Sequence, residues 1–387
     1  MAGFRALVDG VVDGVDPRGS TTYKARTLTF VHWFSVERFP IDRGHRLVSL
    51  LTRTGLVLAL SFALISANST PAAASAVVPR DHLYDVCILN GLNSWAVGAF
   101  GTIFHSTDGG TTWEAQTSGL TEHLLGVDFA DDKHGWAVGR SAVILHTQDG
   151  GQTWAAQKTD DKNHLFDVVA LSPERAIAIG DWGTVLVTTD GGANWQKRSL
   201  DRDVILNAQA WTDAEHGWIV GEAGLVLATT DGGATWTEQN SGTMKTLFGV
   251  SFADAQRGWA VGLDGLILHT VNGGLEWQVQ RGSADVAALD QVGSKEMAEN
   301  PTLFDIAMVD STGYAVGDGG SVFLTGDGGV RWQRATVPAE VRMRWIRAVA
   351  LSKDRQGLFV GANGLALRLT DARASAETEQ HASSTSY

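Results

Sequence analysis

An all-β fold is predicted, a seven-bladed β-propeller built from four-stranded repeats of about 41 residues, and three observations carry that prediction. Trp113, Trp154, Trp195, Trp236 and Trp277 stand 41 residues apart; Gly98, Gly139, Gly180, Gly221 and Gly262 keep the step, as do Leu83, Leu124, Leu165, Leu206 and Leu247. Each unit divides into four short β-rich runs, for example 124–129, 135–139, 142–147 and 153–157, separated by Gly and Asp/Asn clusters. Long helical patterns are absent, so no unit can cover both of its own apolar faces and neighbouring units must supply the core.

Composition bounds the rest. The chain has 387 residues with 45 Gly, 14 Trp and one Cys, so a disulfide framework and a multi-cysteine zinc or iron–sulfur site are excluded. Residues 1–76 carry eight Lys+Arg against five Asp+Glu, which leaves 22 against 38, or −16, for 77–387. A body this acidic is a poor match for nucleic acid, whose phosphates call for clustered Lys and Arg.

The elements follow in order. Residues 1–46 form an N-terminal extension without periodicity, read as a start-site artefact with translation beginning further in, near Val48. In 47–76, Arg46 and Arg53 precede or open an apolar run over 55–65, and small residues end at Ala74-Ser75-Ala76. That is the pattern of a secretory signal peptide, with an uncleaved anchor as the alternative. The mature chain is expected outside the cytoplasm, in a periplasm or at the outer face of an inner membrane. The propeller occupies 77–371: five regular units, a sixth with Leu303, Gly317 and Trp332, and a seventh that begins at Ile346 and Gly361 and lacks its final Trp. Ring closure is left open, with 77–78 as an available strand donor, and 372–387 is a polar tail.

Tryptophans of the G-W-A-V-G type (Trp95, Trp136, Trp218 and Trp259, with Tyr314 as substitute) and those at the repeat ends read as inter-blade packing. Between third and fourth strands one signature recurs: Ser106-x-Asp108-x-Gly110-x-Thr112-Trp113, repeated around Asp149, Asp190, Asp231, Asn272 and Asp327. A short carboxylate can accept backbone N–H bonds within its own turn, and glycine supplies φ > 0. Six copies at identical turns are six structural devices, not six active sites.

This signature is the Asp-box of BNR repeats. Combined with G-W-A-V-G and G-x-I-x-H-T-x-D-G-G-x-T-W, it resembles most closely the photosystem II assembly/stability factor family, over about three quarters of the chain. The resemblance implies an exported seven-bladed scaffold without enzymatic activity or cofactor, acting on a membrane protein complex, with a thylakoid lumen as its place only in a photosynthetic host. A monomer is expected.

Asp-boxes also occur in sialidases and other glycoside hydrolases, which makes a carbohydrate-active propeller the alternative. A sialidase-like site needs a tyrosine nucleophile. Tyr84 aligns with the apolar Leu125, Phe166 and Phe248; Tyr314 fills a packing position; Tyr387 is terminal. No unique carboxylate pair stands out. His82, His123 and His164, and separately His105, His146 and His269, occupy equivalent positions on different blades, which reads as repeat inheritance; no metal site is assigned.

Partner binding is expected where copies differ. About 15 residues are inserted around 281–302, carrying Asp285, Asp290, Glu296 and Glu299. The window 331–347 holds five arginines and one glutamate, with Trp345 among them. Arg and Trp are the side chains that dominate interfaces, and arginines suit acidic protein segments or lipid headgroups, which admits peripheral membrane association. Arg334, Arg342, Arg344, Trp345 and Arg347 are therefore candidates. Arg140 and Trp182 join them from second-to-third-strand loops on the same face, beside Asp181, Glu222, Asp264 and Asp318.

Overall fold

The computed structural model describes residues 81–285 and 299–369. The 1–46 extension, the 47–76 signal segment, the 77–78 donor and the 372–387 tail lie outside them, as does most of the insertion. No helix among the described residues is long and apolar enough to cross a membrane.

Among the described residues seven antiparallel sheets follow one another, six of four strands and a seventh of three. The blades span 83–116, 124–156, 165–197, 206–239, 247–281, 303–334 and 346–369. Each is a meander, because consecutive strands are joined by turns too short for any other pairing. First strands of successive blades touch one another, and that of blade 7, Ile346–Leu351, returns to that of blade 1, Leu83–Leu89. Seven first strands therefore ring the axis, with the fourth strands outermost.

One apolar cluster sits at every blade junction. Between blades 1 and 2, Trp95, Val97 and Ile103 pack on Leu124, Val127 and Phe129, with the Trp95 and Phe129 rings 3.6 Å apart. The junction of blades 7 and 1 is built the same way, from Ala348, Leu358, Val360 and Ala366 against Leu83, Val86, Ala96 and Phe104. Among the described residues, side-chain packing thus joins blade 7 to blade 1. Trp95, Trp136, Trp259 and Tyr314 are fully buried, as the inter-blade reading requires.

The repeated glycine at the end of each second strand has a steric cause. Gly139 is extended, yet a Cβ there would collide with the His123 carbonyl oxygen, where the first strand bulges against the second. The following loop residue then takes a left-handed conformation in each copy for which φ is recorded: Phe100, Ser141, Trp182, Ala223, Asp264, Gly319 and Asn363 all have φ between 52° and 61°.

Candidate partner-binding face

The Asp-box turns behave as local devices. Asp149 accepts the Thr153 N–H and hydroxyl at 2.8 and 2.7 Å and the Thr147 hydroxyl at 2.8 Å. Asp108, Asp190 and Asp231 repeat this; Asn272 and Asp327 retain the threonine and backbone bonds. These hydrogen bonds hold the box carboxylates below their ordinary range, Asp231 at about 2. Each turn is also gripped by the preceding blade. Gln116 donates to Gly150 O and accepts from Trp154 Nε1, and Gln157 repeats both bonds at Gly191 and Trp195. Where Arg198 replaces that glutamine, Arg175 reaches Gly232 O at 2.6 Å. Blade 7 uses Arg368, which donates to the Thr111 hydroxyl of blade 1.

The opposite end carries the second-to-third-strand loops and the connections between blades. There the residue preceding each first strand meets the loop of the blade before it. His164 Nδ1 accepts from Ser141 N, and His82 Nδ1 accepts from Asn363 N, both at 3.0 Å. His105, His146 and His269 instead stack on Trp95, Trp136 and Trp259. His82 and His164 thus tie neighbouring loops together while the second series packs on tryptophan, and among the described residues no cluster is arranged to hold a metal ion.

At the mouth of the axial channel the structure assembles an aromatic chain. Trp345 stacks on Tyr84 at 6.0 Å with planes 5° apart and lies 5.1 Å from His82; Tyr84 lies 5.9 Å from His123, which lies 5.1 Å from Phe100. Arg140 and Arg347 both stabilise the anionic form of Tyr84, although burial outweighs them and raises its pKa. Burial, with Arg140 and His82 nearby, pushes the His123 pKa down. Phe100 and Trp182 stand out from their loops 65% and 58% exposed. A bulky residue at φ near +55° costs about 1–2 kcal/mol that glycine would avoid, so two loop tips keep exposed aromatic rings against a backbone penalty.

The other candidates sort differently. Arg342 is exposed and Arg344 half-buried on the connection into blade 7. Arg334 lies on the fourth strand of blade 6, where its Nη2 donates to Ser321 Oγ at 3.0 Å. Arg347 is not on the outer surface with them. It projects into the channel, 5.2 Å above the Phe304 ring, because its position is the second of the first strand and faces the axis. Glu222 accepts from Ile205 N, and Asp264 pairs with Lys245, so both already serve local contacts. Of the insertion, Arg281 ties both ends, donating to Gly265 O and Glu299 O at 2.7 Å.

Sequence reasoning passed over the axial carboxylates. Asp85, Asp128, Asp167 and Asp305 each accept a backbone N–H of the next blade, from Val127, Ala170, Gln209 and Val349, all at 2.8 Å. Ser251 does the same for Met308 N, while Asn207 donates to Leu247 O. Burial drives the pKa values of these aspartates up, to about 6 for Asp85 and about 7 for Asp128 and Asp305. A signal was present: Leu83-Tyr-Asp-Val86, Leu165-Phe-Asp-Val168 and Leu303-Phe-Asp-Ile306 share one pattern, at blades that are not consecutive.

Comparisons with known proteins agree with this architecture. The family model described as photosynthesis system II assembly factor YCF48 matches residues 118–205 and 195–284, and the BNR/Asp-box repeat model matches 104–115. No curated protein matches the chain. Among solved structures, YCF48 bound to a D1 peptide superposes with a TM-score of 0.62 at 23% identity, over 76% of this chain and 95% of that one. YCF48 from Cyanidioschyzon merolae gives 0.60 at 23%, over 76% and 97%. The WD40 repeats of RRP9 give 0.59 at 11%, over 74% and 94%, so the superpositions speak to the fold alone. With the Asp-box series and the family match together, the chain is similar to the photosystem II assembly factor family and folds as a BNR/Asp-box seven-bladed propeller.

Proposed function

We propose that this chain is an exported, non-enzymatic scaffold that assists assembly or stability of a membrane protein complex by docking an acidic segment of one of its proteins on the channel-mouth face. The observation that carries this reading is the continuous Trp345–Tyr84–His123–Phe100 surface, flanked by Arg140 and by Arg347 within the channel. Arginine beside half-buried aromatic rings is the composition of interface hot spots, and the rings lose little freedom on binding. A related propeller has been solved with a D1 peptide bound, which supports a peptide-docking role.

The hydrolase alternative meets a specific objection. Carboxylates do converge in the channel, but the cavity they line is about 150 Å3, below the roughly 300 Å3 at which ligand pockets begin. One oxygen of each is also committed to a backbone N–H of the next blade.

The test is affinity co-purification of the tagged protein from its host's solubilised membranes, beside Arg140→Glu/Trp345→Ala. A defined membrane protein complex recovered by the wild type and lost in the variant is the expected result. Glycan hydrolysis with no such complex in either sample would refute the reading.

A further inference from the structure

Beneath the mouth lies a second layer of side chains. Asp85, Asp167 and Asp305, one position further along the first strands of blades 1, 3 and 6, line the same cavity as Arg347. Phe166, Phe248 and Phe304 line it with them. The carboxylates are fixed: one oxygen of each accepts from the next blade, and Asp85 and Asp305 use the other on their own strand, at Val86 N and Ile306 N. Arg347, on a flexible stem from blade 7, lines the cavity with all three, and their charges act on it across that space. Three carboxylates against one guanidinium leave the layer net negative when all are ionised and net positive when the acids are protonated.

Building on the docking role proposed above, we infer that this layer is a proton-operated switch on the mouth. With Asp85, Asp167 and Asp305 ionised, Arg347 is held inward and the channel repels an anionic segment; with them protonated, Arg347 is released to pair with it. Acidification therefore strengthens docking. Both effects, the freed cation and the removed negative field, act in the same direction.

The groups around the switch are few. Arg347 is faced by Asp305 from blade 6, Asp85 and Tyr84 from blade 1 and Asp167 from blade 3. Asp85 and Asp128 act on the half-buried Cys87, and Asp128 adds its charge to Asp167. Arg140 faces Tyr84, and His82 and His123 flank it. Burial raises Asp167 well above the carboxylate range, and Asp85 and Asp305 to about 6 and about 7, so the layer changes charge near neutrality, where glutamate on a partner stays ionised.

The test is calorimetric titration of the whole protein with a synthetic peptide of alternating Glu and Ala, at about pH 5.5 and about pH 8, where those charges differ. The wild type is expected to bind tighter at the lower pH by about fivefold or more, within the usual range of linkage. Asp85→Asn/Asp167→Asn/Asp305→Asn is expected to bind tightly at both pH values, and Arg347→Gln weakly at both. Asp305→Asn alone serves if the triple variant does not fold, and it should halve the pH difference or more. Equal wild-type affinity at both pH values, or an undiminished difference in the Asn variants, overturns the switch and leaves the docking role standing. No binding by any variant at either pH overturns both.

Discussion

The Asp-box turns and the axial layer use one side chain, aspartate, in two opposed ways. At the turns the carboxylate is solvated, receives its donors from its own loop, and is held in the ionised form, with Asp231 down to about 2. Around the axis it is half-buried, shares a cavity with others of its kind, and is pushed up, with Asp305 at about 7. The turns recur with little change, whereas the axial positions alternate Asp85, Gly126, Asp167, Ala208, Gly249, Asp305 and Ala348. What every copy keeps makes a blade, and what each copy varies distinguishes one blade from the next. A charge can be repeated without cost to the ring only where water screens it.

Substitutions and pH separate the two uses of aspartate. The largest effect belongs to packing that both regions depend on. Trp136 is fully buried between blades 2 and 3, so Trp136→Ala should cost about 3–5 kcal/mol in denaturant unfolding. A cost below about 1 kcal/mol would mean that the junction is not the unit of stability.

Next comes pH. The axial aspartates bind protons more tightly folded than unfolded, so their contribution is fully present below the ordinary carboxylate pKa and is lost as pH rises through about 6 to about 7. The box aspartates are depressed, and theirs is present above that pKa and lost as pH falls toward about 2. Melting temperature should therefore peak between the two limbs. Asp305→Asn should flatten the alkaline limb alone, and Asp231→Asn the acid limb alone; interchange of the two would contradict the assignment.

Smaller is Asp149→Asn. Asn272 already occupies a box, accepting the Thr270 hydroxyl and the Glu276 N–H, so stability should change by less than about 1 kcal/mol. The smallest effect on folding is expected from Trp182→Gly. It relieves a left-handed tryptophan while giving up chain entropy, so the melting temperature should hold or rise while partner recovery falls. Recovery unchanged would remove Trp182 from the docking face.

How much of this was legible in the sequence follows the same division. The period, the strands, the tryptophan junctions and the Asp-boxes could be read because each is stated six or seven times. The face bearing Arg140, Trp182 and Trp345 could be read as the end where copies diverge. Arg347 could not be placed within its cluster, because Leu125, Phe166 and Asn207 at its equivalents give no hint of an inward cation. Tyr84 was masked in the same way by apolar equivalents, and it became a mouth residue only when Trp345 was brought round the ring to stack on it. Closure of blade 7 on blade 1 is a contact between the two ends of the repeat array, which no periodicity encodes.

Docking on the channel mouth, and not on the Asp-box end, is the proposal from which the rest follows. Hydrogen-exchange mass spectrometry of the protein with and without its co-purified membrane partner tests it most directly. New protection is expected in peptides covering 82–84, 99–101, 140–141 and 345–347, with the Asp-box turns at 108–112, 149–153 and 231–235 unchanged. Protection confined to those turns, with the mouth exchanging as before, would contradict it.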